Sequence, residues 1–508
     1  VDGPLTLRPV FLWEGLQLSV QSPDDTHIYD QETGIPLDIT INNPMKDRLD
    51  VTMLATVTNY DAKEVFREQR DLRLAPDSPV SFVIEVPSQP RGHYDVRLDI
   101  RGGGLILKTF WSSFAVLGPR IQIMDVENSP FGLCGGALFH MDPPQIKTLG
   151  KRRLAQIQRI GAAWGRNDIW WGQVEPARGQ WEFSKADSVV SMFRRHEINL
   201  LGILCYSTDW MNGQSPVTDD QIAAFANYAA RMARRYEGRV SCWEVWNEPN
   251  AAPFWTPTPR AADYVRLLKA TYQAVKQVSP DIRIVGMSTK GVDLDFIEEC
   301  LRLGAGEYLD ILSVHPFQDQ PPTERTGETE LEKIGALRAL MDANGCNRPI
   351  WITDCGWPTV GDITERLQAE YLVKFYVSTL SGGLVQKIFW FNLTDWGGRF
   401  SPSGGHFGLS HIDHTPKPSL TAYYTMLEML SDYTMLSRVE LPDNFEGYDF
   451  TFQDGRRVRV IWNNGAPADM IIPRGAVAIN IMGRPLEPEG RRIVLDTSPV
   501  YLTGDWQD

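Results

Sequence analysis

The pattern of apolar and polar residues divides the chain into three stretches. In residues 1–118, short runs such as 36–41 and 80–86 alternate apolar and polar side chains with a period of two, and clusters of Asn, Asp, Pro and Gly separate them. That alternation is typical of strands with one buried face. We therefore predict an N-terminal immunoglobulin-like β-sandwich over 1–118, ended by a linker at 117–120.

In residues 119–428, apolar runs alternate with amphipathic stretches, which indicates an α/β fold with a parallel sheet. Eight runs are predicted to be strands: 131–136, 163–168, 199–205, 240–247, 282–287, 309–314, 349–354 and 386–391. Eight strands spread over roughly 300 residues fit a (β/α)8 TIM barrel. A doubly wound sheet is the alternative, although no Gly-rich phosphate-binding turn follows a strand in this sequence.

Residues 429–508 return to short apolar runs, 457–462, 477–481 and 492–495, which Gly and Pro turns separate. These runs predict a small C-terminal β-sandwich packed against the barrel. The whole prediction is therefore a TIM barrel over 119–428 that is flanked by two β-sandwiches.

Composition and charge narrow the classes of function. Of the 508 residues, 43% are hydrophobic and 22% are charged, so the chain can bury a large core. Its net charge is −14 and the sequence contains no basic stripe, which argues against a nucleic acid or an anionic membrane as a partner. No apolar run approaches the ~18 residues that cross a bilayer.

All six cysteines lie in the central stretch: Cys134, Cys205, Cys242, Cys300, Cys346 and Cys355. Four of them fall in or beside predicted strands, where a free cysteine behaves as a small apolar residue. No C-x-x-C pair occurs, so we expect no zinc site, no disulfide framework and no cofactor. The chain opens with Val1 rather than Met, so we expect a processed or trimmed N-terminus and an extracellular or periplasmic protein.

Two predicted strands lead into a carboxylate. The strand at 240–247 continues into Glu248-Pro249, and the strand at 349–354 ends at Asp354 before a Gly-Trp-Pro turn. In a TIM barrel both strand ends belong to the face that carries the active site. A carboxylate pair is the equipment for cleaving a glycosidic bond, because one group protonates the leaving oxygen and the other meets the oxocarbenium-like transition state. The structural alternatives are a helix cap after a core strand for Glu248, and an N-cap or a relic of a lost site for Asp354.

Other polar and aromatic side chains fall at or just beyond predicted strand ends. Arg166 is expected to brace Asp354 or Asn247 by charge-assisted hydrogen bonds and to keep Asp354 ionised. Asn247 is expected to hold a sugar hydroxyl, and His315 to bind a hydroxyl or to orient a carboxylate. The remaining candidate substrate ligands are Tyr206 and Trp390 beside the reactive sugar, His140 after the first strand, and the loop tryptophans as stacking platforms, among them Trp170, Trp357 and Trp396.

Five motifs occur in order along the central stretch: 166–170 with 175–183, 246–249, 313–317, 351–359, and 408–409 with 415–418. Together they resemble a retaining glycoside hydrolase of clan A, most like family 39, which contains β-xylosidases, α-L-iduronidase and polysaccharide-cleaving relatives. The resemblance covers about 60% of the chain. It implies a carbohydrate substrate, a β-linked polysaccharide or oligosaccharide, with Glu248 as general acid/base.

The sequence departs from that family at Asp354, which stands where the family has a nucleophilic glutamate. The missing methylene draws the carboxylate back by about 1.5 Å, one C–C bond. Retaining enzymes hold their carboxyls ~5–5.5 Å apart and inverting enzymes ~6.5–9.5 Å apart. The sequence therefore leaves open a retaining hydrolase with adjusted geometry, an inverting hydrolase, a transglycosylase and a weak or inactive sugar-binding barrel.

Overall fold

The computed structural model describes residues 15–23, 26–135, 138–317, 330–397, 405–442 and 444–506. Its first part contains a three-stranded sheet in the order β1-β3-β6 and a five-stranded sheet in the order β2-β8-β7-β4-β5. The strands are β1 Gln17–Gln21, β2 Ile28–Asp30, β3 Ile35–Asn42, β4 Leu49–Asn59, β5 Glu64–Leu74, β6 Val80–Val86, β7 Gly92–Gly102 and β8 Leu105–Leu117. A separate apolar cluster, with Ile39, Tyr94 and Phe114 fully buried, forms the core between these sheets.

The centre of the molecule is a closed parallel barrel, as the alternation of apolar and amphipathic runs predicted. Each strand pairs with the next, and the last pairs with the first. The strands are β9 Phe131–Cys134, β10 Trp164–Trp170, β11 Asn199–Cys205, β12 Cys242–Val245, β13 Arg283–Lys290, β14 Ile311–His315, β15 Ile350–Cys355 and β16 Val385–Trp390. The largest departures from the predicted bounds are the C-terminal extension of β13, from 287 to 290, and the shortening of β12 from 240–247 to 242–245.

Helices surround this barrel and follow the strands along the chain. They are α1 Pro143–Gln145, α2 Lys151–Arg159, α3 Trp171–Val174, α4 Ser184–Arg195, α5 Asp219–Arg235, α6 Ala261–Val278, α7 Leu294–Arg302, α8 Glu330–Ala343, α9 Glu365–Ser381 and α10 Pro418–Leu430. A π-helical turn spans Ile146–Gly150, and 3-10 turns span Leu138–His140, Asp209–Met211 and Ala305–Glu307. The start of α5 is fixed by a capping box, in which Thr218 and Gln221 each accept a backbone hydrogen bond from the other.

The last part of the chain contains a five-stranded sheet, β17-β18-β19-β23-β21, and a two-stranded sheet, β20-β22. Its strands are β17 Tyr433–Arg438, β18 Phe445–Phe452, β19 Arg457–Asn463, β20 Ala468–Ile471, β21 Val477–Asn480, β22 Arg492–Leu495 and β23 Val500–Thr503. The sheets therefore fall where the sequence predicted a C-terminal β unit. Among the described residues, no helix is long and apolar enough to cross a membrane.

Polar contacts attach the N-terminal sheets to the barrel. The side-chain amide of Gln156 in α2 donates to the backbone oxygens of Thr26 at 3.0 Å and His414 at 2.8 Å. Ser113 in β8 donates to the Pro416 oxygen at 2.6 Å. The predicted linker is also held, because the Tyr424 hydroxyl donates to the Pro119 oxygen at 2.8 Å.

Candidate active site

A cavity of about 690 Å³ opens at the C-terminal ends of the barrel strands. One part of its wall is polar and is formed by Arg166, Asn167, Asp168, Asn247, Glu248 and Asp354. Another part is aromatic and is formed by Tyr206, Phe254, Phe317, Phe391 and Trp396. Polar groups beside flat apolar rings are the combination that binds the hydroxyls and the faces of sugar rings.

Glu248 lies on a strained turn directly after β12. Its φ is 47° and that of Trp246 is 69°, and both values belong to the left-handed region that side-chain-bearing residues rarely adopt. The turn is held by Trp246, whose backbone N–H donates to the Leu204 oxygen at 2.9 Å, and by Glu248, whose N–H donates to the Ser288 oxygen at 3.0 Å. Strain of this kind costs on the order of 1–3 kcal/mol per residue and commonly marks functional sites.

Arg166 reaches from β10 to residues of two other strand ends. Its Nη1 donates to Asp354 Oδ2 at 3.0 Å, and its Nη2 donates to Asn247 Oδ1 at 2.8 Å. Its Nε donates to Glu244 Oε2 at 2.7 Å. The structure thus contains both contacts that the sequence suggested for Arg166, to Asp354 and to Asn247, and adds a third to Glu244.

Arg166 was expected to keep Asp354 ionised, and it does lower the pKa of that carboxyl, but burial outweighs its effect. Burial raises the pKa of the Asp354 carboxyl from 3.8 to about 7, and Arg166 and His315 offset that effect only in part. Glu248 and Glu244 raise this pKa further, since each adds negative charge nearby. The carboxyl of Asp354 therefore changes charge near neutral pH.

His315, at the end of β14, is fully buried and contacts Glu248 from behind the cavity wall. Its Nδ1 lies 3.2 Å from Glu248 Oε1, and its Nε2 lies 3.0 Å from Thr353 Oγ1. Of the two predicted roles for this histidine, its position fits the orientation of a carboxylate rather than contact with a sugar hydroxyl.

The tryptophans predicted beside the sugar occupy other positions. Trp390 and Trp357 are buried in the core, 5.9 Å apart between ring centroids, and neither lines the cavity. Trp357 packs against Tyr371 and Phe375 of α9, and Trp390 packs against Trp357, so these two rings are not placed to stack on a sugar. Trp170 is half-buried, packs edge-on against Tyr206 and donates to Asp168 Oδ2 at 3.2 Å, and it does not line the cavity.

Of the two remaining predicted substrate ligands, Tyr206 and His140, the structure describes the side chain of Tyr206 alone. Tyr206 lines the cavity immediately after β11. Burial, followed by the charge of Asp168, raises the pKa of its phenol far above the ordinary value, so the hydroxyl remains neutral. His140 belongs to the 3-10 turn Leu138–His140, but its side chain lies outside the described residues.

The structure also brings residues to the site that sequence reasoning missed. Glu244 lies in the middle of β12 and is fully buried against Arg166. A charged residue inside an apolar strand was the available signal, since a buried carboxylate needs a partner. Asp168 is a third carboxylate on the cavity wall. Of the loop tryptophans that the sequence did predict, Trp396 lines the cavity and stacks on Phe407 at 6.0 Å between ring centroids.

Comparison with known proteins agrees with this fold. The family model for "Glycosyl hydrolases family 39" matches residues 214–464, and that for "Glycosyl hydrolase family 10" matches residues 141–258. A family 39 glycoside hydrolase structure from Bacteroides cellulosilyticus WH2 has a TM-score of 0.73 at 22% identity and covers 96% of this chain and 100% of its own. The chain carries a clan A glycoside hydrolase barrel of the family 39 type.

Two curated β-xylosidases and a further solved structure are also similar to this chain. The chain is 24% identical over 281 residues to a β-xylosidase of Geobacillus stearothermophilus, a match that covers 50% of this chain and 54% of that protein. A β-xylosidase of Caldicellulosiruptor saccharolyticus is 26% identical over 272 residues, 48% of this chain and 53% of its own length. The chain therefore spans about half the length of the curated relatives it matches. A family 39 β-xylosidase structure from Caulobacter crescentus has a TM-score of 0.56 at 17% identity, covering 76% of this chain and 98% of its own, and shares the fold.

Proposed function

We propose that this chain is a glycosidase that hydrolyses β-glycosidic bonds in an oligosaccharide or polysaccharide, with Glu248 as general acid/base and Asp354 as nucleophile. The observation that carries the proposal is that both carboxylates line one cavity at the strand ends of a family 39-type barrel. Their surroundings differ, because His315 contacts Glu248 whereas Arg166 contacts Asp354. Two carboxyls in unlike environments suit the separate tasks of acid and nucleophile.

The reaction proceeds in two displacements at the anomeric carbon. In the first, the Glu248 carboxyl gives its proton to the glycosidic oxygen while a carboxylate oxygen of Asp354 attacks the anomeric carbon. The bond to the leaving group breaks, and a glycosyl ester forms on Asp354. In the second, water attacks the same carbon and passes a proton to Glu248. Asp354 departs as a carboxylate, whose charge Arg166 compensates at 3.0 Å.

The aromatic wall and the names of the relatives guide the choice of substrate. Phe254, Phe317, Phe391 and Trp396 offer ring faces on which pyranoses stack. Two of the relatives are β-xylosidases, and a third, from Agaricus bisporus, is an endo-1,4-β-xylanase. We therefore propose β-xylosides and β-1,4-xylooligosaccharides as the first substrates to assay, before other β-linked glycans.

The test is release of reducing sugar and of aryl aglycone by the wild type, Glu248→Gln and Asp354→Asn. Asp220→Asn is the matched control, because Asp220 is an exposed carboxylate paired with Arg178 and neither residue lines the cavity. We expect either cavity substitution to lower kcat by about 10³-fold or more, as is usual when a positioned acid or nucleophile is lost. Full activity of Glu248→Gln on a substrate that the wild type cleaves would overturn the proposal.

Azide separates the two roles. In Glu248→Ala, azide should attack the glycosyl ester on Asp354 and give a glycosyl azide with the configuration of the substrate. In Asp354→Ala, azide should enter from the face that Asp354 occupied and give the opposite configuration. The anomer first released by the wild type, read by NMR, distinguishes retention from inversion.

The second candidate is a sugar-binding barrel with little or no turnover, and the state of Asp354 favours it. The Oδ1 atom of Asp354 is buried and accepts no hydrogen bond from any described residue, and the pKa of the carboxyl is about 7. Asp354→Glu discriminates the two candidates. It should raise the rate in a decayed enzyme and lower it in an enzyme adapted to aspartate.

A further inference from the structure

A chain of hydrogen bonds joins the two proposed catalytic carboxylates behind the cavity wall. It begins at Glu248, passes through His315 and Thr353 to Glu244, and continues through Arg166 to Asp354. Glu244 is at its centre and does not line the cavity. The direction in which each hydrogen bond runs can be worked out from the number of protons on each group.

Glu244 fixes that direction because its carboxylate only accepts. Its Oε2 accepts from Arg166 Nε at 2.7 Å. Its Oε1 accepts from the hydroxyls of Thr353 at 2.7 Å and Ser313 at 2.8 Å. At 2.7 Å, two oxygen atoms repel each other unless a proton lies between them. The single proton of the Thr353 hydroxyl must therefore point to Glu244.

That orientation determines the proton on His315. With its proton committed to Glu244, Thr353 Oγ1 presents only lone pairs to His315 Nε2 at 3.0 Å. A hydrogen bond at that distance requires Nε2 to carry a proton. The competing arrangement, in which a bare Nε2 accepts from Arg166 Nη2, has a longer separation of 3.4 Å and would leave lone pairs facing each other toward Thr353.

With Nε2 protonated, a neutral His315 presents the lone pair of Nδ1 to Glu248 Oε1 at 3.2 Å. The contact is then a hydrogen bond only when one proton lies between these two atoms, either on the Glu248 carboxyl or on an imidazolium. Among the described residues, the other charged or titratable groups around this pair include Glu244, Arg166, Asp354, the Cys134 thiol beside Asp354, and Tyr206 and Asp168 on the cavity wall.

We propose that Glu244 is a positioning residue that, through Thr353, holds His315 in the Nε2–H form, so that His315 Nδ1 shares a single proton with Glu248. The catalytic meaning of this arrangement rests on the proposed function, because the shared proton is the one that Glu248 gives to the glycosidic oxygen. A His315 with its proton on Nδ1 would instead donate to ionised Glu248 and favour the form without the acid proton.

Nitrogen-15 NMR of histidine-labelled protein reads the tautomer directly and needs no turnover. The chain has 8 histidines, and loss of one signal set in His315→Asn assigns the residue. We expect neutral His315 in the wild type to have a protonated Nε2 and a bare Nδ1. The reverse pattern in the wild type would overturn the proposal.

Thr353→Val and Thr353→Ser form the matched pair. Valine keeps the volume but removes the hydroxyl, so the preference for Nε2–H should be lost, whereas serine should keep it. Glu244→Gln should reverse the tautomer, because the amide donates to Thr353 and frees its proton for Nε2. An unchanged tautomer in folded Thr353→Val would refute the role of this relay.

Kinetics give the second readout. We expect Thr353→Val to lower kcat/KM about 10-fold and to move the alkaline limb of the pH profile, while Thr353→Ser stays within about two-fold of the wild type. If the wild type cleaves no glycoside, the proposed function fails, and the tautomer measurement still decides the arrangement of protons.

Discussion

The guanidinium of Arg166 donates hydrogen bonds to three acceptors, Glu244, Asn247 and Asp354. The fork geometry of arginine allows this, whereas the compact ammonium of lysine cannot reach all three. We expect Arg166→Lys to lower kcat/KM by about 100-fold, because a displacement of about 1 Å at a reacting group has that effect.

The control for Arg166→Lys is Arg178→Lys. Arg178 forms an exposed pair with Asp220, so its replacement should change neither kcat/KM nor Tm measurably. Equal effects of the two substitutions on kcat/KM would contradict the role given to Arg166.

The charge of Asp354 predicts how activity depends on pH. A nucleophile must be ionised, and burial raises the pKa of this carboxyl to about 7. We expect kcat/KM to rise with pH along a limb whose midpoint is near 7. A limb near the ordinary aspartate value of 3.8 would show that the carboxyl is less buried than the structure indicates.

The same carboxyl makes stability depend on pH. Its pKa is higher in the folded than in the unfolded chain, so its contribution to the free energy of unfolding is fully present below pH ~4 and is lost as pH rises through about 7. Asp354→Asn cannot titrate. The Tm of the wild type should therefore fall relative to that of Asp354→Asn between pH 4 and 7, and parallel curves would contradict this.

At this scale the sequence predicts which residues approach each other better than it predicts their state. Glu248 and Asp354 were found because each follows an apolar run that becomes a strand of one closed barrel, and the C-terminal ends of those strands lie on the same face. The raised pKa of Asp354 depends on burial, and the contacts of Glu244 depend on Arg166, which reaches it from another strand. Neither burial nor such a contact can be read from the periodicity or the composition of the sequence.

Among the elements, the segment between β16 and α10 carries part of the aromatic wall and is fixed by a buried ion pair. Lys417 Nζ contacts Asp395 Oδ2 at 2.8 Å, and the Gly408 N–H donates to Asp395 Oδ1 at 2.7 Å. His406 and His411 lie near the same carboxylate, at 3.6 and 3.7 Å.

We expect Lys417→Met to cost about 3–5 kcal/mol of unfolding free energy, because it leaves the buried Asp395 charge without its main partner. Thermal unfolding measures the loss. Arg492→Met, which breaks an exposed pair with Asp469, should change the free energy by less than about 1 kcal/mol. Similar shifts for the two variants would show that the Asp395 pair is not what stabilises this segment.

The element pattern also explains the errors about tryptophan. All eight barrel strands were predicted because each apolar run is bounded by turns. A tryptophan just after a strand can face the cavity or turn toward the surrounding helices, and the run itself does not distinguish these directions. Trp357 packs against Tyr371 and Phe375 of α9, whereas Trp396 lies on the wall of the cavity.

At the scale of the whole molecule, one contiguous buried cluster includes Leu117 of β8, Trp243 of β12 and Tyr501 of β23. We propose that the two flanking β units and the barrel unfold together. Calorimetry should then record a single transition, and two resolved transitions would contradict this.

Gln156 provides a local test of that coupling. Gln156→Leu removes the amide that serves the Thr26 and His414 oxygens, so we expect a loss of about 1–3 kcal/mol. Gln89→Leu is the control, since among the described residues the Gln89 amide donates to the Pro87 oxygen alone, on an exposed loop. The sequence predicted the order of the three parts from their periods, but it predicted a linker at 117–120 where the structure has a packed connection.

Arg166, Glu244, His315 and Asp354 belong to four different strands, β10, β12, β14 and β15. Their network cannot exist in a fragment of the barrel or in a sheet that has not yet closed on itself. A chromogenic substrate that measures turnover would therefore also measure closure of the barrel. When the protein refolds after dilution from denaturant, activity should return more slowly than the helical circular dichroism signal. In such an experiment the rate at which activity returns measures the rate at which the barrel closes.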